Sequence, residues 1–275
     1  MKFTGNSATV LQGENCLTSK PFRAVITCEH GGNRIPKQFS GLFSGSGELL
    51  KSHRGHDPGA IDLARKLSSG LKAQLYFSTI SRLLIDLNRS PRNPNRFSKI
   101  TRGLSTAEKT VIHKLYYDPY RTEVKAALLE YIGKVRRVLH LSVHTFTPVL
   151  SGKVRDADLG FLYDPARKNE TSFCLFWQKV IHRIGPELQT RRNYPYKGTS
   201  DGFTAYLRDF FPEDSYLGIE LEVNQKYLSG GRKAWLDLQQ LILESLVQTI
   251  NSPEAVYPRK KVPNRRPAKD KARRA

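Results

Sequence analysis

Short apolar runs alternate with amphipathic stretches along most of this chain. The first run, FRAVITC at positions 22–28, is rich in β-branched residues and ends at the glycine-containing segment EHGGNRIP. That pattern is typical of a buried strand that leads into a loop. Comparable runs predict further strands at AQLYFSTI, LLIDL, RVLHLSVH, DLGFLYD, ELQTRRN and YLGIELEVN.

Helical spacing fills the intervals between these runs. After HDPG, one helical face is apolar, with Asp57 at the predicted cap position and Pro58 in the first turn. Ser105 and Glu108 have the spacing of a capping box at the start of another helix. Further helices are predicted at PYRTEVKAALLEYIGK, ETSFCLFWQKVIHRI, FTAYLRDFF and positions 232–250.

The order of these elements predicts the fold class. Strands that alternate with helices indicate an α/β domain, with a mainly parallel mixed sheet and helices on both faces. Ligands collect at the carboxyl ends of the strands in such sheets. The polar segments CEHGGN, DLNRS, SVHTFTP and ELEVNQ each follow an apolar run. We therefore expect these four segments to meet at one edge of the sheet.

Length and charge divide the chain. Its 275 residues, 39% of them hydrophobic, suffice for one large α/β domain, and its formal net charge is +20. Positions 251–275 carry nine lysines and arginines against only Glu254 and Asp270, among prolines and few apolar residues. We predict an N-terminal extension at 1–20, a domain at 21–250 and a basic disordered tail at 251–275. The tail is expected to contact polyanions weakly, and a specific nucleic-acid arm is the alternative.

Cysteine usage and hydropathy bear on the compartment. Cys16, Cys28 and Cys174 are odd in number, widely spaced and without a C-x-x-C pair. The N-terminus lacks the apolar core of a signal peptide, and no run approaches the roughly 18 apolar residues of a membrane-spanning helix. We therefore expect a cytoplasmic protein that does not cross a membrane.

Imidazole and carboxylate groups lie at several of the predicted strand ends. His30 and Glu29 follow the first strand, His144 ends a later strand, and Asp57 precedes a helix. Two histidines and one carboxylate are the usual ligands of a catalytic zinc ion in hydrolases. The structural alternatives are a hydrogen-bonded core histidine for His144, a helix cap for Asp57 and a surface loop charge for Glu29.

The predicted strand GIELEV carries two carboxylates on one face. Glu220 and Glu222 lie two residues apart, so their side chains point the same way. A carboxylate on an apolar strand is costly to bury unless it is paired or functional. One of the two is a candidate general base that activates water, and a buried ion pair with arginine is the alternative.

The segment SRLLIDLNRS ends in a pair of hydrogen-bond donors. Arg89 offers a forked guanidinium that matches a carboxylate, and Asn88 adds an amide donor beside it. Asp86 is a candidate to buttress Arg89, although the periodicity alone would equally allow its side chain to point away. A solvated strand end is the alternative interpretation.

Eight segments in order give the chain a family resemblance over roughly positions 20–245. They are CEHGGNRIP, HRGHDPGAIDLA, SRLLIDLNRS, YYDPYR, LHLSVHTFTP, DLGFLYDP, NYPYKGTSDG and GIELEVNQ. Together they resemble the N-formylglutamate amidohydrolase family, which is in turn similar to zinc carboxypeptidases and aspartoacylases. The resemblance implies the three-layer phosphorylase/hydrolase-like architecture of the zinc carboxypeptidases and a divalent metal, with zinc the expected ion.

The resemblance also implies ligands for that metal. His30 resembles the first histidine ligand of these relatives and His144 the second. The relatives carry a glutamate three residues after the first histidine, where this chain has Asn33. Asp57 opens the corresponding helix and is therefore expected as the carboxylate ligand, with Glu29 as second choice.

The remaining roles follow from the same resemblance. LEVNQ resembles the segment that holds the aspartoacylase base, which selects Glu222 over Glu220, whereas the carboxypeptidase pattern by itself would also admit Glu220. DLNR matches the substrate-carboxylate motif of aspartoacylases at Asn88 and Arg89. Additional candidate substrate contacts are Arg155, Arg208, Asn193 and Tyr196.

The expected partner is therefore a small anionic N-acyl amino acid. The resemblance implies hydrolysis of N-formylglutamate to formate and glutamate by metal-activated water. The same chemistry on another N-acyl amino acid or on a peptidoglycan-type amide is one alternative. A basic nucleic-acid-binding protein that uses its C-terminal tail is an alternative of another class.

Overall fold

The computed structural model describes residues 9–11, 22–135 and 137–252. Its strands are β1 (Thr9–Leu11), β2 (Arg23–Cys28), β3 (Gln74–Phe77), β4 (Val138–Phe146), β5 (Val149–Leu150), β6 (Lys153–Val154), β7 (Leu159–Leu162), β8 (Thr190–Arg192) and β9 (Tyr216–Asn224). Its α-helices are α1 (Gly47–Lys51), α2 (Ala60–Leu71), α3 (Thr106–Ile112), α4 (Asp118–Val135), α5 (Lys168–Ile184), α6 (Phe203–Arg208), α7 (Lys226–Ser229) and α8 (Arg232–Asn251). Shorter 3-10 turns lie at Lys37–Phe43 and Pro94–Arg96, and a π-helical turn lies at His113–Tyr117.

Seven of the strands form one sheet in the order β1-β3-β2-β4-β9-β7-β8. The four strands β3, β2, β4 and β9 are parallel to one another. Strand β1 runs antiparallel to β3 at one edge, and the parallel pair β7 and β8 runs antiparallel to β9 at the other. Strands β5 and β6 form a separate hairpin. The predicted mainly parallel mixed sheet is therefore confirmed.

Helices cover both faces of this sheet. Helices α2, α5 and α8 contribute to one apolar cluster, and helices α4 and α6 contribute to a second. The amphipathic pattern explains the first layer, because Leu63, Ala64 and Leu67 of α2 share one helical face and are fully buried. The capping box of Ser105 and Glu108 is present at the start of α3, as predicted.

The central strands present different side chains to the two faces. In β4, Leu139, Leu141 and Val143 belong to the cluster of α2, α5 and α8. The alternate residues of β4, His140, Ser142 and His144, are also buried but face the other way. In β9 their ladder partners are Gly218, Glu220 and Glu222. Polar groups thus collect on one sheet face, toward the carboxyl ends of the strands.

The predicted strand LLIDL is wrong. Residues 82–84 form a turn in which the Ser81 hydroxyl accepts a hydrogen bond from Leu83 N at 3.2 Å and the Ser81 carbonyl accepts one from Leu84 N at 2.9 Å. Leu84 and Ile85 are nonetheless fully buried, within the cluster of α4 and α6. The apolar character of the run correctly indicated burial, but it did not indicate a strand, because a turn can bury such side chains as well.

The predicted helix cap at Asp57 is also wrong. Helix α2 has Gly59 as its N-cap, with φ of +81°, a backbone conformation that favours glycine. The side chain of Asp57 does not cap the helix and points into a polar cluster instead.

Some predictions concern residues that the structure does not describe. Strand β1 lies within the predicted N-terminal extension, and the rest of positions 1–20 and the tail beyond 252 fall outside the described residues, as does Cys16. Cys28 and Cys174 are buried free thiols. Within the described residues, no helix combines the length and the apolar character needed to cross a membrane.

Candidate active site

Three side chains with metal-ligand chemistry meet at the carboxyl ends of β2 and β4. They come from His30, Asp57 and His144, all buried, and one ligand atom of each lies within 4.8 Å of the others. Oδ2 of Asp57 is 2.8 Å from Nδ1 of His144 and 3.3 Å from Nδ1 of His30. The structure thus brings together the two histidines and the carboxylate that the sequence nominates.

The second ring nitrogen of each histidine has its own partner. Nε2 of His30 lies 2.8 Å from Oδ1 of Asp86. Nε2 of His144 lies 2.9 Å from the Ser142 hydroxyl and 3.3 Å from Oε2 of Glu29. A metal-binding imidazole commonly donates its other N–H to such an acceptor, which fixes the tautomer and the ring orientation. Both Nδ1 atoms are thereby left to face Asp57.

Electrostatics keep Asp57 and His144 charged. Burial alone would raise the pKa of Asp57, but nearby His30 and the hydrogen bond with His144 hold that pKa well below its usual range. Burial likewise opposes the charged form of His144, yet its hydrogen bonds with Asp57 and Glu29 raise its pKa well above the ordinary value. The cluster is therefore stabilised by opposite charges in close contact.

Glu29 lies behind His144, outside the group of three ligand atoms. Its side chain accepts hydrogen bonds from the Ser142 hydroxyl at 2.7 Å and from the Tyr120 hydroxyl at 3.0 Å. Burial opposes its ionisation, but the hydrogen bonds from His144 and Ser142 bring its pKa to about 2. With 1% exposure it is not a surface loop charge, and its contacts orient His144.

Glu222 has a free carboxylate oxygen in the same region. It pairs in register with His144 on the adjacent strand, is 5% exposed, and its Oε2 has no hydrogen-bond partner. Burial raises the pKa of Glu222 to about 8. Glu220, by contrast, accepts a hydrogen bond from the Thr204 hydroxyl at 2.6 Å. None of the ion pairs among the described residues includes either glutamate, contrary to the structural alternative.

One cavity of about 240 Å³ connects these groups. Of the residues above, His30, Asp57, His144, Glu220 and Glu222 line it. The rest of its lining includes His53, Arg82, Asn88, Arg89, Arg155, Tyr196, Lys197, Ser200 and Asp201. Contributions from the segments CEHGGN, DLNRS, SVHTFTP and ELEVNQ are all present. The expected convergence of the four segments therefore occurs, although DLNRS reaches the cavity from a turn.

Asn88 and Arg89 lie at the wall of this cavity. Oδ1 of Asn88 accepts a hydrogen bond from Phe203 N at 2.6 Å, and Asn88 N donates to Asp86 at 3.0 Å. The side-chain amide is thus oriented with Nδ2 as its unengaged donor among the described contacts. Arg89 donates from NH1 to the Asp201 carbonyl at 2.9 Å. Its Nε is 4.0 Å from Asp86, so the predicted buttress is a long contact.

Arg155 and Tyr196 form another part of the wall. NH2 of Arg155 lies 3.4 Å from the Tyr196 hydroxyl, and its guanidinium lies 5.4 Å from the centre of the tyrosine ring. Tyr196 is 49% exposed, so this pair stands at the mouth of the cavity.

The other two predicted substrate contacts hold the fold together and do not line the cavity. Nε of Arg208 is 3.0 Å from Glu170 in a buried ion pair, and its NH1 donates to the Gly198 carbonyl. Oδ1 of Asn193 accepts hydrogen bonds from the backbone of Tyr163 and Gly198. Both residues shape the loop that presents Tyr196, which corrects the prediction that they face substrate.

Arg82 is a site residue that the sequence analysis missed. Its NH2 donates to Asp86 at 2.7 Å and its NH1 to Asp57 at 3.4 Å. Burial disfavours its charge, but Asp86 and Asp57 raise its pKa above the ordinary value. The available signal was its position four residues before Asp86, as the one cation inside an apolar run.

Comparison with known proteins places this site in context. The sequence model of the N-formylglutamate amidohydrolase family matches residues 22–229. The structure of gene product Atu2144 from Agrobacterium tumefaciens is similar, with a TM-score of 0.73 and 26% identity over 88% of this chain and 94% of that one. An N-formylglutamate amidohydrolase from Ralstonia eutropha JMP134 has a TM-score of 0.65 and 17% identity over 88% of this chain and 96% of its own, a likeness of fold. No protein with a curated description matches this sequence.

A metallo-carboxypeptidase from Burkholderia cenocepacia also aligns with this chain. Its TM-score is 0.39 at 12% identity, over 90% of this chain and 65% of that one. A TM-score of that size does not establish a shared architecture. The detailed correspondence to the zinc carboxypeptidases therefore stays a prediction from the sequence resemblance.

Proposed function

Because this chain belongs to the N-formylglutamate amidohydrolase family and is a hydrolase acting on an amide bond, we propose that it removes the N-acyl group of a small anionic amino acid, with N-formylglutamate as the expected substrate. Formate and glutamate would be the products. One observation carries the proposal: the ligand atoms of His30, Asp57 and His144 share a cavity with the unpartnered Oε2 of Glu222.

The proposed metal site fits the donors that are present. His30, Asp57 and His144 would hold a divalent cation, because two imidazole nitrogens and one carboxylate oxygen are the donor set of many catalytic zinc sites. The contacts of Asp86 and Glu29 to the far ring nitrogens are those that orient such ligands. When bound, the cation supplies Lewis acidity to a water molecule and to the scissile carbonyl.

Glu222 is the proposed general base. It would take the proton of the attacking water as the carbon–oxygen bond forms, and return it to the departing amine nitrogen as the carbon–nitrogen bond breaks. Burial raises the pKa of this carboxyl to about 8, and a nearby cation favours the charged form that a base requires. The hydrogen bond from Thr204 makes Glu220 the less available of the two carboxylates.

Substrate orientation is proposed to come from the cavity walls. Nδ2 of Asn88 and the guanidinium of Arg89 would bind one substrate carboxylate. Arg155 and Tyr196 at the mouth would contact the far end of the substrate. The cavity of about 240 Å³ that these side chains line would hold a small N-acyl dicarboxylate.

A substrate panel at defined metal content tests this function. The protein is stripped with chelator, reloaded with Zn²⁺ and assayed with N-formylglutamate, N-acetylglutamate, N-formyl-leucinamide and a muramoyl-peptide amide. We expect amide cleavage only in the reloaded protein, fastest with N-formylglutamate. Full activity in the stripped protein would contradict the proposed metal dependence. A preference for the neutral amide would contradict the proposed anionic substrate class.

A further inference from the structure

The segment YYDPYR, at positions 116–121, has no role in the chemistry above. It spans the junction between the π-helical turn His113–Tyr117 and the start of α4, on the sheet face that carries the cavity. Its residues Tyr117, Tyr120 and Arg121 are buried, and none of them lines the cavity. Their polar atoms nevertheless reach the backbone and side chains that form the site.

Two of these side chains hold the backbone on either side of Asn88. The Tyr117 hydroxyl donates to the Arg89 carbonyl at 2.6 Å. NH1 of Arg121 donates to the Leu87 carbonyl at 2.9 Å and to the Arg89 carbonyl at 3.4 Å. The turn that presents Asn88 and Arg89 to the cavity is thus fixed from its buried side.

The surroundings of Arg121 are unusual for a buried cation. Its guanidinium lies 4.2 Å from the ring centre of Phe203, 4.4 Å from that of Tyr206 and 5.0 Å from that of Tyr117. No ion pair among the described residues includes it, and its NH2 has no hydrogen-bond partner. Aromatic faces offset only part of the cost of burying this charge. A neutral donor would serve the two carbonyls at lower cost, and the carboxylates of Glu29 and Asp201 favour the charge of Arg121 without forming an ion pair with it.

Arg121 also contacts the group that orients the Asn88 amide. Phe203 N donates to Oδ1 of Asn88 at 2.6 Å, and the ring of the same phenylalanine covers Arg121. Displacement of Arg121 would therefore move both the turn and the donor that sets the Asn88 amide. The two carboxylate-binding side chains depend on one buried guanidinium.

We propose that Arg121, assisted by Tyr117, is a positioning residue for substrate carboxylate binding. It fixes the turn so that Nδ2 of Asn88 and the guanidinium of Arg89 converge, and it adds a buried positive charge behind them. The inference rests on the proposed function in one respect, the carboxylate role of Asn88 and Arg89. It concerns binding and not proton transfer, so KM responds and kcat does not.

The principal experiment compares Arg121→Met with the wild type, both loaded with Zn²⁺. We measure kcat and KM on N-formylglutamate and N-formyl-leucinamide, and glutamate affinity by calorimetry. We expect the KM for N-formylglutamate and the Kd of glutamate to rise about tenfold or more, with kcat within about threefold and the neutral substrate unaffected. Equal losses on both substrates, or no loss, overturn the proposal.

The outcome for the wild type separates this inference from the proposed function. A wild-type protein that neither hydrolyses N-formylglutamate nor binds glutamate contradicts the proposed function, and the inference falls with it. A wild type that does both, together with an Arg121→Met variant of unchanged KM and Kd, contradicts only the positioning role.

A milder variant keeps the test decisive if Arg121→Met does not fold. Tyr117→Phe keeps the ring and removes only the hydroxyl that donates to Arg89, and we expect a rise of about fivefold in the KM for N-formylglutamate. Tyr206→Phe is the matched control, because its ring covers Arg121 at 4.4 Å and none of the described hydrogen bonds uses its hydroxyl. An unchanged KM in Tyr117→Phe, or an equal rise in Tyr206→Phe, overturns the proposal.

Discussion

The two faces of the central strands carry opposite chemistry on one backbone. In β4, Leu139, Leu141 and Val143 pack against the layer of α2, α5 and α8. Between them, His140 and His144 face the other way, toward the site and the layer of α4 and α6. Side chains alternate along a strand, so each polar residue of the site is held by the burial of its apolar neighbours. Burial of the apolar face stabilises the fold, and burial of polar groups on the other face costs part of that free energy.

Hydrogen bonds offset most of the cost of the polar face. His140 lies between the hydroxyls of Thr27 and Tyr216, at 2.8 and 2.7 Å, and Ser142 lies between Glu29 and His144. Glu222 differs, because its buried Oε2 has no partner. A buried polar atom without a partner is uncommon in a folded protein and calls for an explanation, which the proposed proton transfer by Glu222 would supply.

Glu222→Gln, a change on the polar face, should have the largest effect of the variants proposed here, and that effect should be on kcat and not on stability. The change removes the proposed base and keeps the shape, so we expect kcat to fall by about 10²–10⁴ with zinc content and stability retained. Steady-state kinetics, metal analysis and urea unfolding measure the three quantities. A kcat within about tenfold of the wild type would show that another group takes the proton.

Leu141→Ala should affect the apolar face alone. Leu141 is fully buried, and its truncation is expected to lower the free energy of unfolding by about 2–5 kcal/mol. Leu129→Ala is the control, because that leucine is 55% exposed and should change stability by less than about 0.5 kcal/mol. Urea unfolding measures both. Loss of kcat in folded Leu141→Ala protein would mean that the two faces are coupled.

Arg89→Ala should weaken binding without loss of the chemistry. Loss of a charge-assisted hydrogen bond to a substrate carboxylate is expected to raise the KM for N-formylglutamate by about 10–100-fold, with a small effect on N-formyl-leucinamide. Arg92→Ala, an exposed arginine three residues on that does not line the cavity, is the control. Equal effects of Arg89→Ala on the two substrates would exclude the carboxylate role.

The smallest effect is a pH dependence of stability from His140. Burial lowers the pKa of this imidazole to about 4; the Glu29 carboxylate opposes that shift and the Arg208 guanidinium adds to it. The folded protein therefore keeps His140 neutral, and stability is lost as the pH falls from 6.5 toward 4 because the unfolded chain binds the proton. Between pH 6.5 and 5.5 this loss is about 1 kcal/mol.

His140→Gln removes that titration and keeps a polar group beside Thr27 and Tyr216. Urea unfolding of the wild type and the variant at pH 6.5 and about pH 5.5 gives the free energy of unfolding of each, and the loss between the two pH values should be about 1 kcal/mol larger in the wild type. Above pH 6.5 the two proteins should show parallel pH dependence. The same slope in both proteins below that pH would contradict the neutral state of His140.

The sequence predicted most of the elements because their signals are local. The run RVLHLSVH predicted strand β4 from its own residues, and the strand geometry then puts His140, Ser142 and His144 on one face. The helical spacing of α2 is local in the same sense. LLIDL failed because an apolar run without alternation shows burial and not backbone conformation. In that segment the hydrogen bonds of Ser81 and packing within the cluster of α4 and α6 stabilise a turn.

Tertiary structure decided which chemically suitable residues form the site. Arg89 and Arg208 are the same residue type, yet Arg89 lines the cavity and Arg208 is paired with Glu170, which is 38 residues away. The contact between Asp57 and His144 spans 87 residues. It forms because Asp57 N is hydrogen-bonded to the His30 carbonyl just after β2, and β2 lies beside β4. Sequence alone determined the residue types, the strand faces and the family. Strand order, which depends on packing between distant segments, determined which of those residues meet.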